Sequence, residues 1–240
     1  MKKTVLVTGA NRGIGRAIAS RFAKEGFHVI VAVRDATKAD DVIQEIETAG
    51  GSVEAVTVDM SDPASIEKAA QEISGRHESL DVLVNNAAIH VGMEDTILDA
   101  RKEDLEISMQ TNAFGPLQLV KLLLPLIQAS KQPHIVNVSS SVGSVAETVN
   151  PDSPYGHYDT AAYRLSKTML NGITGMLAKT LREDGVKVNA MCPGWTQTDM
   201  GGADAPNTPD QAASLAYRLA TIDDDGPTGG FFNETGPISW

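Results

Sequence analysis

Tyr163 and Lys167 stand four residues apart in a segment whose apolar residues Leu165, Met169, Ile173 and Leu177 recur at helical steps. A helix there puts phenol and ammonium on one face. A free phenol, with a pKa of about 10, is a poor acid–base group at neutral pH. A neighbouring cation favours the phenolate and lowers that pKa, which suits proton transfer to or from a substrate oxygen. Tyr155 and Tyr158 are rivals, but the residues four beyond them are Asp159 and Ala162. Only Tyr163 has its lysine.

A second kind of chemistry is written near the start. Thr8-Gly9-Ala10-Asn11-Arg12-Gly13-Ile14-Gly15 follows a β-branched run and opens a helical pattern. Such a turn needs backbone without Cβ, so that a pyrophosphate can approach a helix N-terminus whose free N–H groups and dipole favour negative charge. Its place between strand and helix separates it from a chance cluster of glycines, and Gly15 would let the helix lie close to the sheet.

These groups need a scaffold, and short β-branched runs recur along the chain. Strands are expected at Thr4–Val7, His28–Val33, Val53–Val58, Val82–Val84, His134–Val138 and Val186–Ala190, with one more near Gly230-Phe231-Phe232. Between them, Ile14, Ile18 and Phe22, then Val42, Ile43 and Ile46, then Ile66, Ala69, Ala70 and Ile73 make helical faces. Leu117 to Ile127 is apolar nearly all round, as in a helix buried in a layer or at a subunit contact. A helix is also predicted from Ala161 to Glu183 and a short one from Asp210 to Ala220. Short strands apolar on both faces and alternating with helices predict an α/β chain: one Rossmann-type domain over residues 1–240, a doubly wound, mostly parallel sheet of about seven strands covered on both faces.

The chain has 240 residues, 42% of them hydrophobic, enough for a sizeable core. Lys and Arg number 20 against 31 Asp and Glu, a net charge of −11, which argues against nucleic acid or an anionic membrane as partner. A single cysteine, Cys192, excludes an intramolecular disulfide and a cysteine-cluster metal site. His90 and His157 lack a ligand spacing, so no metal is expected. Behind Lys2 and Lys3 the apolar run Val5-Leu6-Val7 is too short for a signal peptide, and no stretch of about 18 apolar residues occurs. A cytoplasmic protein is the expectation.

Together the motifs resemble the short-chain dehydrogenase/reductase family. They are the TGxxxGxG turn at Thr8–Gly15, Asp59 closing the third strand, Asn85-Asn86-Ala87-Ala88 after the fourth, Asn112 in the next helix, Asn137-Val138-Ser139-Ser140, the YxxxK of Tyr163 and Lys167, and Pro193-Gly194 with Thr198-Asp199-Met200. Segments Val7–Gly15, Val33–Lys38, Asp81–Ile89, Cys192–Met200 and Gly226–Phe232 resemble its carbonyl-reductase branch. The resemblance implies reduction of a ketone or aldehyde with a nicotinamide cofactor. Tyr163 would deliver the proton, and Lys167 would hold the nicotinamide ribose. Ser140, selected by Gly143 three residues on, would hydrogen-bond the substrate oxygen, and Asn112 would position a water linking Lys167 to solvent. Gly9, Asn11, Arg12, Gly13, Ile14, Gly15, Asp59, Met60, Asn86, Ala87, Pro193, Gly194 and Thr196 would complete the cofactor site.

A carboxylate at the end of the second strand would serve NAD(H). Here Arg34 follows Val33, and a guanidinium can hold a 2′-phosphate. With Arg12 and Lys38 it would make three cations at one phosphate-sized spot, so NADP(H) is expected; Asp35, were it to turn inward, would serve NAD(H). The alternatives are an NAD(H)-dependent alcohol dehydrogenase of the same family and a non-catalytic NADP(H)-sensing regulatory protein. The latter class typically loses the tyrosine or lysine. Sugar epimerases and dehydratases, with TGxxGxxG, and enoyl reductases, with a longer Tyr–Lys interval, fit less well.

Ser140 and Tyr163 are farther apart than is common in the family. The extra stretch, about residues 147–159 with Pro151, Pro154 and Gly156, reads as a loop beside the pocket. Monomeric carbonyl reductases carry a longer insertion there that masks a dimerisation helix, so a monomer is expected over a homodimer or tetramer. A substrate loop is placed at about 194–210. Trp195, Met200, Val142 and Ile89 to Val91 could line an apolar pocket, Cys192 reads as a buried small hydrophobe, and Trp240 either folds back to the pocket or caps the sheet.

Overall fold

Successive residues of a strand point to opposite faces, and the first strand shows what this chain does with that. The computed structural model describes residues 2–156 and 158–240. In β1 (Thr4–Thr8) Val5 and Val7 face one hydrophobic core while Leu6 faces another. Both faces of the sheet are therefore covered, which is why the strands read as apolar runs.

The order is β1, α1 (Gly13–Lys24), β2 (His28–Val33), α2 (Asp40–Thr48), β3 (Ser52–Thr57), α3 (Pro63–Arg76), β4 (Val82–Asn85), α4 (Lys102–Met109), α5 (Gly115–Gln128), β5 (His134–Val138), α6 (Val145–Val149), α7 (Ala161–Thr180), β6 (Lys187–Met191), α8 (Pro209–Leu219), β7 (Phe231–Asn233) and β8 (Gly236–Pro237). The sheet runs β3-β2-β1-β4-β5-β6-β7-β8, parallel except for β8. The expected seven strands are eight, because the chain turns back after β7 into a two-residue antiparallel strand too short to show any periodicity. β1 pairs with β2 on one side and β4 on the other. The order reverses there, and such switch points open a crevice at the carboxyl ends of the strands.

On one face α1 and α8 pack with Phe22 at their centre, its ring 5.0 Å from Phe27 and 5.3 Å from Tyr217. On the other, Leu119, Leu123 and Ile127 of α5 meet Ile66 and Ile73 of α3. Local chemistry sets the helix starts. Asp62 accepts from Ala64 N at 3.0 Å ahead of Pro63, and the Gln211 side chain accepts from Thr208 N at 2.8 Å ahead of Pro209.

α7 departs from the pattern. Its apolar stripe, Leu165, Met169, Ile173 and Leu177, is exposed or half-buried, while Ser166, Lys167, Asn171 and Thr174 are buried against the sheet and its neighbours. It also ends at Thr180, before the expected Glu183. The stretch expected as a loop at 147–159 begins inside α6 and continues as turns tied down by Arg164, which donates to the carbonyls of Tyr155, Tyr158 and Val142 and to Thr148 Oγ1. His157 lies outside the described residues.

Phe22→Ala should cost about 3–5 kcal/mol of stability by opening a cavity between α1 and α8; urea unfolding monitored by circular dichroism checks this, and a loss under about 1 kcal/mol would contradict the packing described.

Candidate active site

The carboxyl ends of β1 to β6 open into a cleft of about 1030 Å³. All the cofactor positions expected from sequence line it: Gly9, Asn11, Arg12, Gly13, Ile14 and Gly15 in the first turn, Arg34 and Lys38 after β2, Asp59 and Met60 after β3, Asn86 and Ala87 after β4, and Pro193, Gly194 and Thr196 after β6. Thr8 ties the two halves at the switch point, its Oγ1 accepting from Asn86 N at 2.9 Å and Ala87 N at 3.0 Å. No side chain caps α1 and its first turn holds no acidic residue, so an anion in the cleft is the natural partner of its N–H groups. A Cβ on Gly15 would sit 2.2 Å from Gly9 O and 2.5 Å from Asn86 Nδ2. Helix and turn meet this closely only because that position is glycine, and the cradle suits a pyrophosphate.

At the outer end, Arg34 and Lys38 are exposed, and neither side-chain cation has a hydrogen-bond or ion-pair partner among the described residues. Asp35 lines the cleft beside them, with its carboxyl engaged by Thr37. Its Oδ1 accepts from Thr37 N at 3.1 Å and Thr37 Oγ1 at 2.8 Å, and these bonds hold its carboxyl below the usual range. The third expected cation, Arg12, lines the same cleft, and its exposed guanidinium pairs with Asp199 of the segment after β6.

At the inner end, Lys167 is 2% exposed and its Nζ donates to Val138 O at 2.8 Å. The ammonium lies 5.5 Å from the centre of the Tyr163 ring. Gly143 makes the approach possible, since a Cβ there would stand 2.6 Å from Lys167 Cβ. Of the three serines, Ser139 bonds Asn171 Oδ1 at 2.6 Å and Ser141 bonds Cys192 Sγ at 3.1 Å. Ser139 and Ser140 both line the cleft, but only Ser140 of the three is not buried, and its hydroxyl bonds the Tyr163 phenol. The expectation that the lysine lowers the tyrosine pKa does not hold here. Burial, and after it Cys192, pushes Tyr163 up, only partly offset by the Ser140 hydroxyl; burial also pulls Lys167 down to about 8.

Asn112 lies off the cleft, buried in a π-turn at Gln110–Phe114 that joins α4 to α5. Its amide accepts from Ile89 N and donates to Ile89 O and Ser166 Oγ, each at 2.9 Å. It therefore clamps the strand that leaves β4 to the start of α7.

His90, expected with Ile89 and Val91 to line an apolar pocket, does line the cleft. His90 packs 4.6 Å from the Tyr163 ring and bonds Thr160 Oγ1 at 2.7 Å; burial lowers its pKa, favouring neutral imidazole. Tyr155 and Tyr158, rivals for the catalytic position, line the cleft with Trp195, Met200, Val142 and Ile89, whereas Val91 does not. Cys192 is more than a small hydrophobe, since its Sγ also accepts from Ser141 N at 3.2 Å. Trp240 caps the sheet by stacking on Phe231 at 5.3 Å. No motif could have announced the contacts of His90 with Thr160 and Tyr163, which come from 70 residues away and beyond.

Comparison with known proteins agrees with this geometry. The chain is 32% identical over 226 residues to the short-chain dehydrogenase anuI of Penicillium roqueforti, covering 92% of this chain and 89% of that one. It is 31% identical to mouse carbonyl reductase [NADPH] 1, covering 100% and 99% of the two chains. The structure of NADPH-bound carbonyl reductase from chicken fatty liver superposes with a TM-score of 0.88 at 29% identity, covering 100% and 99%. The short chain dehydrogenase family model matches residues 3–208; the chain belongs to the short-chain dehydrogenase/reductase family.

Proposed function

We propose that this protein reduces the carbonyl of an apolar or aromatic ketone or aldehyde to an alcohol with NADPH, the whole chain acting as one catalytic unit. The observation that carries the reading is the phenol of Tyr163, protonated by its burial, beside Ser140 in a cleft that continues to the uncapped start of α1. The relatives named above, two of them NADPH carbonyl reductases, support an NADP-dependent oxidoreductase.

NADPH bound in this cleft supplies the hydride. The glycine turn and the α1 N-terminus would hold its pyrophosphate, and Arg34 and Lys38 would hold the 2′-phosphate, the neighbouring Asp35 carboxyl being engaged with Thr37. Tyr163 donates its phenolic proton to the substrate oxygen while Ser140 hydrogen-bonds the same oxygen. Lys167, anchored on Val138 O, presents its remaining N–H groups to the nicotinamide ribose. Asn112 acts by position, joining the chain after β4 to α7. Trp195, Met200, Val142, Tyr155 and His90 give the substrate an apolar, aromatic wall.

The direct test is NADPH consumption with aromatic aldehydes, α-dicarbonyls, quinones and cyclic ketones. Turnover is expected on at least one class, and Tyr163→Phe should lower it between about 100- and 10 000-fold. NADPH binding without turnover on any class would contradict the reading. Arg34→Ala should raise the KM for NADPH about tenfold or more and leave that for NADH nearly unchanged, since it removes a charge-assisted contact to the 2′-phosphate alone; equal effects on both would contradict the assignment. kcat/KM for NADPH should be level below about pH 7 and fall as pH rises through about 8, where the Lys167 ammonium loses its proton. A level profile to pH 9.5 would show that Lys167 does not titrate there. The insertion, bound by Arg164 over the start of α7, supports a monomer. Sedimentation should show single chains, whereas a dimer burying exposed Leu122, Leu165 and Met176 would contradict this. No described helix is long and apolar enough to cross a membrane.

A further inference from the structure

Far from the cleft, three side chains from three elements converge. His28 opens β2, Glu54 lies in β3, and His77 ends α3. Among the described residues they are the one group of three or more such side chains whose ligand atoms all lie within 4.8 Å of one another. His28 Nε2 lies 3.4 Å from Glu54 Oε1, and His77 Nε2 contacts the same oxygen. The side chains are 23%, 26% and 15% exposed, so the spot is sheltered without being closed.

We propose that His28, Glu54 and His77 form a binding site for one divalent transition-metal ion of the zinc type, clipping β2, β3 and α3 together. Two imidazoles and a carboxylate with a fourth position left to water are a donor set such ions take. Ligands at zinc distances are separated by about 3.3 Å along a tetrahedral edge, close to the His28–Glu54 spacing; His77 has only to draw back slightly. Neighbouring groups orient the ligands. Ser52 Oγ lies 2.8 Å from His28 Nδ1, and when that nitrogen donates its proton there, Nε2 is left as a lone pair facing the carboxylate. Arg76 Nη1, 3.3 Å from Glu54 Oε2, holds the second carboxylate oxygen and leaves Oε1 to the two imidazoles.

The site is separate from the chemistry. β2 runs from His28 to Val33, so the metal position and the cleft end of that strand are ~16 Å apart. None of the three residues lines the cleft. The family resemblance gave no reason to expect a metal here, since the ligands are scattered through the sequence with no local spacing.

The test is titration of the chelator-treated protein with Zn²⁺ alone, followed by calorimetry, with Co²⁺ as a spectroscopic probe. One ion per chain is expected, with the visible bands of four-coordinate Co²⁺ and a rise in thermal midpoint. His77→Ala and Glu54→Gln should each weaken binding about tenfold or more, and Ser52→Ala should weaken it by a similar factor through loss of the oriented tautomer. NADPH consumption should be unchanged in Glu54→Gln, whose near-identical shape guards against failure to fold. Absence of saturable one-to-one binding would overturn the proposal and leave the cluster a hydrogen-bonded latch. Binding that neither His77→Ala nor Glu54→Gln weakens would overturn it too, placing the ion elsewhere.

Discussion

A buried ammonium is costly unless it is bonded, and the hydrogen bond from Lys167 Nζ to Val138 O is the contact on which the active-site geometry rests. It fixes where α7 sits on the sheet. Asn171 bonding Ser139, Asn137 bonding Thr174 and Thr168 bonding the Gly143 carbonyl repeat the same logic along that face. Apolar packing would let a helix settle in several rotations of similar energy, whereas directional bonds to fixed backbone groups select one. Tyr163, one turn before Lys167, is thereby aimed into the cleft.

The electrostatic plan follows from the same separation of inside and outside. The chain carries a net charge of −11, yet the rim beside β2 presents the exposed cations of Arg34 and Lys38, with Asp35 between them in sequence. An anionic group can bind there because two exposed cations outnumber the one neighbouring carboxylate, Asp35, which Thr37 engages. Arg12 and Asp199 bridge the cleft mouth as an exposed pair, the kind that contributes little to stability. Deeper in, burial keeps the phenol protonated and weakens the hold of Lys167 on its proton. The groups that move charge are those withdrawn from water, and the groups that attract it stay outside.

Much of this was legible in residue order. β2 and β5 run over the predicted residues, and the other five predicted strands are displaced by a residue or extended by one, because strands buried on both faces announce themselves as apolar runs. The glycine turn was legible because steric exclusion at Gly15 leaves no other residue possible. α7 was half legible. Its four-residue apolar rhythm gave the right helix, but its inward face is the polar one, and periodicity cannot tell a core stripe from a stripe left outside by a functional face. Asn112 was found as a residue and misplaced as a contact, since a π-turn shifts the helix register in a way no local pattern records. His90 beside Tyr163, and His28 with Glu54 and His77, are products of the fold alone.

The most direct measurement is the proton titration of Lys167 itself, followed by nuclear magnetic resonance of ¹³Cε-labelled lysine in the folded protein and assigned with Lys167→Met. Burial against Val138 O predicts a midpoint near 8. A midpoint near the usual 10.4 of a solvated lysine would mean that the ammonium is in water, and that something else sets the position of α7 and Tyr163.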